Sequence, residues 1–91
     1  MKIIFNEITK SALLEVLEKS TNNSIRIKVV AVGCGKPAYD IYADYVSEDD
    51  IELIINEVNF VIAKKDEKIC DGIEIKYDKD VYNKGFYIRS L

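Results

Sequence analysis

The sequence predicts a mainly β fold on the α+β borderline, a compact β-sandwich or irregular barrel with one N-terminal amphipathic helix. Three observations lead there. Apolar residues recur at helical spacing only once, near the N-terminus. Later apolar runs alternate with polar residues or are short enough to be strands. No repeat, low-complexity tract or linker divides the 91 residues, so residues 1–91 are expected to share one core as a single domain.

Taken in order, residues 2–5 are β-branched and aromatic enough for a short strand. Asn6 is a good N-cap, and Ile8, Ala12, Leu13, Val16 and Leu17 then mark the apolar face of a helix from Glu7 to Lys19. The polar run Ser20-Thr21-Asn22-Asn23-Ser24 stops it. From Ser24 to Val32 the period becomes two, with Ile25, Ile27, Val29 and Ala31 on one face. The other face begins charged at Arg26 and Lys28 and ends apolar at Val30 and Val32. That drift predicts coverage increasing along the strand, with Cys34 at the mouth of the core.

Tyr39, Ile41, Ala43 and Tyr45 alternate with Asp40, Tyr42 and Asp44, so a second strand is expected to return antiparallel to the first, with Cys34 at the hairpin tip. Ser47-Glu48-Asp49-Asp50 is an acidic turn without the ligand spacing of an EF-hand. Two more strands, Ile51 to Ile55 and Val58 to Ala63, join through Asn56-Glu57. The mixed-charge run from Lys64 to Lys68 is a turn or short helix. Asp71-Gly72 turns the chain into a strand marked by Ile73, Ile75 and Tyr77, and Gly85-Phe86-Tyr87-Ile88 is the last apolar piece.

Composition narrows the function. With 48% apolar and 32% charged residues the chain folds rather than staying disordered. A net charge of -3 opposes nucleic-acid binding, which needs phosphate neutralisation. No apolar stretch approaches membrane-spanning length, and Asn6 and Glu7 interrupt the apolar start, so no membrane association and a cytoplasmic location are expected. The sequence has no histidine, which removes Ser-His and Cys-His nucleophiles, HExxH zinc sites and imidazole acid–base catalysis. A non-enzymatic role is the expectation.

The stretch that can carry chemistry is Gly33-Cys34-Gly35-Lys36. Flanking glycines free the backbone to turn and leave a thiol uncrowded on the loop crest, and Lys36 favours the thiolate that binds metals. The competing reading makes Cys34 a small apolar filler in an ordinary turn. A phosphate cradle is a third, but neither the dinucleotide fingerprint nor a P-loop is completed. Cys70, between Ile69 and Asp71, reads first as a packed side chain, and with Cys34 it forms no CxxC motif. Asp40, Asp44, Tyr39 and Tyr42 are candidate oxygen ligands that strand alternation explains equally well.

The order of these pieces resembles the HesB/IscA family, the A-type iron-sulfur cluster assembly proteins. The likeness is carried by Ala12-Leu13-Leu14, by Ile25-Arg26-Ile27-Lys28-Val29, and by Gly33-Cys34-Gly35 with Ala38-Tyr39 behind it. Asp71-Gly72 before a β-run ending in Tyr77, and Gly85-Phe86, complete it. The resemblance implies a HesB-like fold that binds iron or an iron-sulfur cluster, often at a homodimer interface, and passes it to recipient proteins. It makes Cys34 the principal metal ligand. The family's Cys-x-Cys pair beyond the Gly-Phe segment has no counterpart in these residues. A cluster normally takes four protein ligands, which a symmetric dimer would supply if Cys34 and Cys70 both faced the interface. The alternative function is a metal-free HesB-like binding or regulatory module acting through the loop from Gly33 to Tyr39.

Overall fold

The structure, a computed structural model, describes residues 1–31, 37–80 and 85–91. Strand β1 (Ile3–Ile4) leads into helix α1 (Glu7–Glu18), followed by β2 (Ser24–Ala31), β3 (Ala38–Asp44), β4 (Asp50–Ile55) and β5 (Val58–Ala63). A 3-10 turn (Lys64–Asp66) and a one-turn helix α2 (Glu67–Cys70) precede β6 (Ile73–Tyr77) and β7 (Phe86–Ser90). The mixed-charge run thus takes the helical of its two expected forms.

Helix α1 starts where expected. The Asn6 side chain accepts a hydrogen bond from the Thr9 backbone N–H at 2.9 Å, satisfying one of the donors a helix start leaves open. Its buried face differs from the expected one. Thr9 and Leu13 are buried, Ala12, Val16 and Leu17 pack against the core, and Ile8 is 67% exposed. At 3.6 residues per turn, Thr9, Leu13 and Val16 make one stripe, and Ile8 lies about 80° beyond its nearest member, Val16. Thr9 Oγ1 has no hydrogen-bond partner among the described residues.

The strands form two mixed sheets, a four-stranded one in the order β3-β2-β5-β4 and a three-stranded one in the order β1-β6-β7. The pairs β2/β3, β4/β5 and β6/β7 are antiparallel, whereas β2/β5 and β1/β6 are parallel. One apolar core joins both sheets to α1: Leu13 shares it with Ile25, Ile27, Ile41 and Phe60 from one sheet and Ile73, Ile75 and Phe86 from the other. Phe5 lies edge-on to Phe60 with ring centroids 5.7 Å apart.

Two turns set the registers. Asn56 and Glu57 both have positive φ, 49° and 72°, the signature of a two-residue type I′ hairpin built without glycine. Gly85 has φ +90°, and a Cβ there would lie 2.7 Å from the Tyr77 ring and 2.9 Å from the Asp78 carbonyl oxygen. Glycine at position 85 is therefore a steric requirement of the β6–β7 hairpin, whose root the Asp78 N–H to Gly85 carbonyl bond closes at 2.8 Å.

Along β2 the exposure runs opposite to the expectation. Ile25 and Ile27 are fully buried, whereas Lys28, Val30 and Ala31 are exposed. Among the described residues the apolar drift of the outer face is not matched by burial, and the buried positions of that face lie at the other end. There Arg26 bonds Asp44 and Asp50, and Val61, its register partner on β5, is 0% exposed.

Candidate functional site

The β2–β3 hairpin forms as expected, antiparallel from Ser24↔Asp44 to Ala31↔Ala38, with a register shift between Val29 and Ala31. Cys34, with Gly33, Gly35 and Lys36, lies outside the described residues, and so do the thiolate, turn-filler and phosphate-cradle readings of that loop. The roots of the loop are described: Ala31 and Ala38 are both exposed. Tyr39, one residue into β3, is partly buried, and its hydroxyl donates to the Ile69 carbonyl at 3.3 Å. Burial pushes the Tyr39 phenol up, a hydrogen bond with Ser90 opposes that rise, and the Cys70 thiol is near enough to add to it. The root of the thiol loop is thereby fastened to the segment that carries Cys70.

Cys70 ends α2, is 0% exposed and belongs to the apolar core. Desolvation, and then the neighbouring Asp66 carboxylate, raise its thiol to about 11. At neutral pH it is protonated, and metals and electrophiles take the thiolate.

The candidate oxygen donors have other duties. Asp44 accepts from Arg26 Nε at 2.7 Å, and Asp50 receives both terminal nitrogens of the same guanidinium at 2.8 and 2.7 Å. Asp50 also accepts from the backbone N–H and hydroxyl of Ser47, both at 2.8 Å, so the acidic turn is closed on itself. The Asp50 side chain is 3% exposed and that of Arg26 11%. The guanidinium holds the Asp50 carboxyl well below the usual carboxylate range, reinforced by the Ser47 bonds, while Asp50 holds the Arg26 guanidinium above its ordinary value. Asp40 accepts from the Ile41 N–H at 2.9 Å. Tyr42 lines a groove of about 240 Å³ with Lys28, Lys65 and Asp66, and burial pushes its phenol up. Among the described residues no three His, Cys, Asp or Glu side chains gather to hold a metal.

The Arg26–Asp44–Asp50 cluster is the feature that sequence reasoning missed. Its signal was one arginine on the outer face of β2, whose planar fork suits two carboxylates better than a lysine would.

No protein-family model matches the sequence, and no curated protein matches it significantly. Solved structures do match. A crystal structure of IscA with the 2Fe–2S cluster superposes with a TM-score of 0.71 at 18% identity, covering 98% of this chain and 85% of that one. A solution structure of a protein from Aquifex aeolicus gives 0.70 at 26% identity, covering 98% and 91%. A crystal structure of Escherichia coli SufA, involved in biosynthesis of iron-sulfur clusters, gives 0.76 at 16% identity, covering 97% and 79%. With its helix, its two mixed sheets and its hairpin order all inside these superpositions, the chain has the IscA/HesB-like fold.

Proposed function

We propose that this protein is a non-enzymatic, cytoplasmic carrier of iron or an iron-sulfur cluster, with Cys34 as its principal ligand and iron-sulfur assembly or recipient proteins as its partners. The observation that carries the reading is the fold itself, shared over nearly the whole chain with an IscA that holds a 2Fe–2S cluster and with a SufA of cluster biosynthesis. The exposure of Ala31 and Ala38, the residues that flank the Cys34 loop, supports it.

The donor set limits what one chain holds. A cluster normally takes four ligands, mostly thiolates, and this sequence has two cysteines and no histidine. Cys70 becomes a second ligand only after α2 leaves the core and its thiol ionises, so the resting protein offers Cys34 first. Cys34 from two chains gives two thiolates, and exogenous thiols complete the set.

The second reading, a metal-free module acting through the loop from Gly33 to Tyr39, is favoured by the burial of Cys70 and the engagement of Asp44 and Asp50 with Arg26. Anaerobic reconstitution with iron and sulfide separates the two. The carrier reading expects a thiolate-to-iron absorption band that persists through gel filtration and is lost in Cys34→Ser. A protein that leaves the column free of iron supports the module.

A further inference from the structure

Asp66 is a buried carboxylate without a partner among the described residues. It holds the N-cap position of α2, where an aspartate ordinarily accepts from the first turn, yet its side chain makes no capping bond. It is 8% exposed and enters none of the ion pairs or side-chain hydrogen bonds of the described residues. Carboxylates so far from water are normally paired, so what this one faces is informative.

It lines the groove of about 240 Å³ to which Tyr42 also contributes. Arg26 and Asp44 stand in the same groove but satisfy each other at 2.7 Å. Three charges are then left over, the Asp66 carboxylate and the exposed Lys28 and Lys65, which also enter no ion pair among the described residues. Opposite charges that share a groove without pairing select a ligand that carries both signs. An anion alone would be repelled by Asp66, and a cation alone by the two lysines. The Tyr42 hydroxyl, donor and acceptor at once, suits either end. The volume lies below the roughly 300–1,000 Å³ of drug-sized ligand sites, which limits the occupant to a small molecule.

We propose that this groove binds a free α-amino acid, with its ammonium group on Asp66 and its carboxylate on Lys28 and Lys65. Charge-assisted hydrogen bonds at both ends are the strong kind, and the ligand brings the cation that the buried carboxylate lacks. The groove uses neither cysteine, so the proposal stands or falls separately from the carrier reading.

Amide resonances of the metal-free full chain at neutral pH, followed as L-alanine is added, test it, with acetate and methylammonium as probes of one sign each. L-alanine should shift the Lys28, Tyr42 and Asp66 amides together and saturably in the millimolar range. Each one-sign probe should bind on the order of tenfold more weakly, a comparison made on the wild type that needs no variant to fold. Asp66→Asn, nearly isosteric, and Lys28→Met, at an exposed position, should each weaken L-alanine binding on the order of tenfold. The absence of any saturable shift with L-alanine overturns the proposal. So does acetate, inorganic phosphate or methylammonium binding as tightly as L-alanine, which would make the groove a site for one sign of charge, and so does L-alanine binding that Asp66→Asn leaves unchanged.

Discussion

At its N-terminal end β2 carries Ile25 and Ile27 at 0% exposure and an Arg26 shared between two carboxylates, whereas at its C-terminal end Val30 is 53% exposed and the pairing with β3 shifts register. One strand thus has a fastened end and an open one. The fastened end ties β2 to β3 through Asp44 and to β4 through Asp50, so three strands of the sheet meet at one guanidinium. The open end carries the roots of the Cys34 loop, where burial would hinder access. Stability and the proposed site are therefore placed at opposite ends of the same element.

The sharpest way to break this contrast is Arg26→Met. It leaves the Asp50 side chain, 3% exposed, without its cation, and removing one partner of a buried pair costs about 3–5 kcal/mol. Urea denaturation at neutral pH measures that loss. The same pair governs the acid side. The folded protein depresses the Asp50 pKa, so this stabilisation is present above the carboxyl's unfolded value of about 3.9 and is lost as pH falls below it. An Asp50→Asn variant should start less stable and lose less on acidification, which thermal melts between neutral and acid pH will show.

A smaller effect is expected from Cys70→Ala, about 1 kcal/mol at neutral pH for a packed side chain shortened in the core. Its pH dependence is more telling. The folded state raises this thiol to about 11, so the stability it protects is intact below the unfolded value of about 8.5 and declines as pH climbs toward the folded one. The alanine variant should lack that alkaline decline. Least of all should come from the open end, where Val30→Thr changes stability by less than about 0.5 kcal/mol. A larger loss there would show that the end is covered after all.

Local patterns carried much of the fold. Period-two runs, the Asn6 cap and the Asn56-Glu57 turn each depend on neighbouring residues alone, and β2 through β6 fall close to the expected places. What escaped was set by distant partners. The parallel pairings of β2 with β5 and β1 with β6 join strands far apart in sequence, and no periodicity encodes them. The buried face of α1 turned away from Ile8 because the core accepts Thr9 beside Leu13, a choice made by packing. The apolar drift toward Val30 suggested coverage that no element among the described residues supplies. At the candidate site, Cys70 was legible as a packed side chain from its flanking residues. The duties of Asp44 and Asp50 were not, because they depend on Arg26 reaching across two strand neighbours.

The central claim is that Cys34, and not the buried Cys70, holds the metal. Iron and sulfide retained per chain after anaerobic reconstitution, compared among the wild type, Cys34→Ser and Cys70→Ala, tests it most directly. The account predicts that Cys34→Ser loses the bound iron and that Cys70→Ala keeps it. Iron that survives in Cys34→Ser, or that disappears with Cys70→Ala while the protein stays folded, would contradict it.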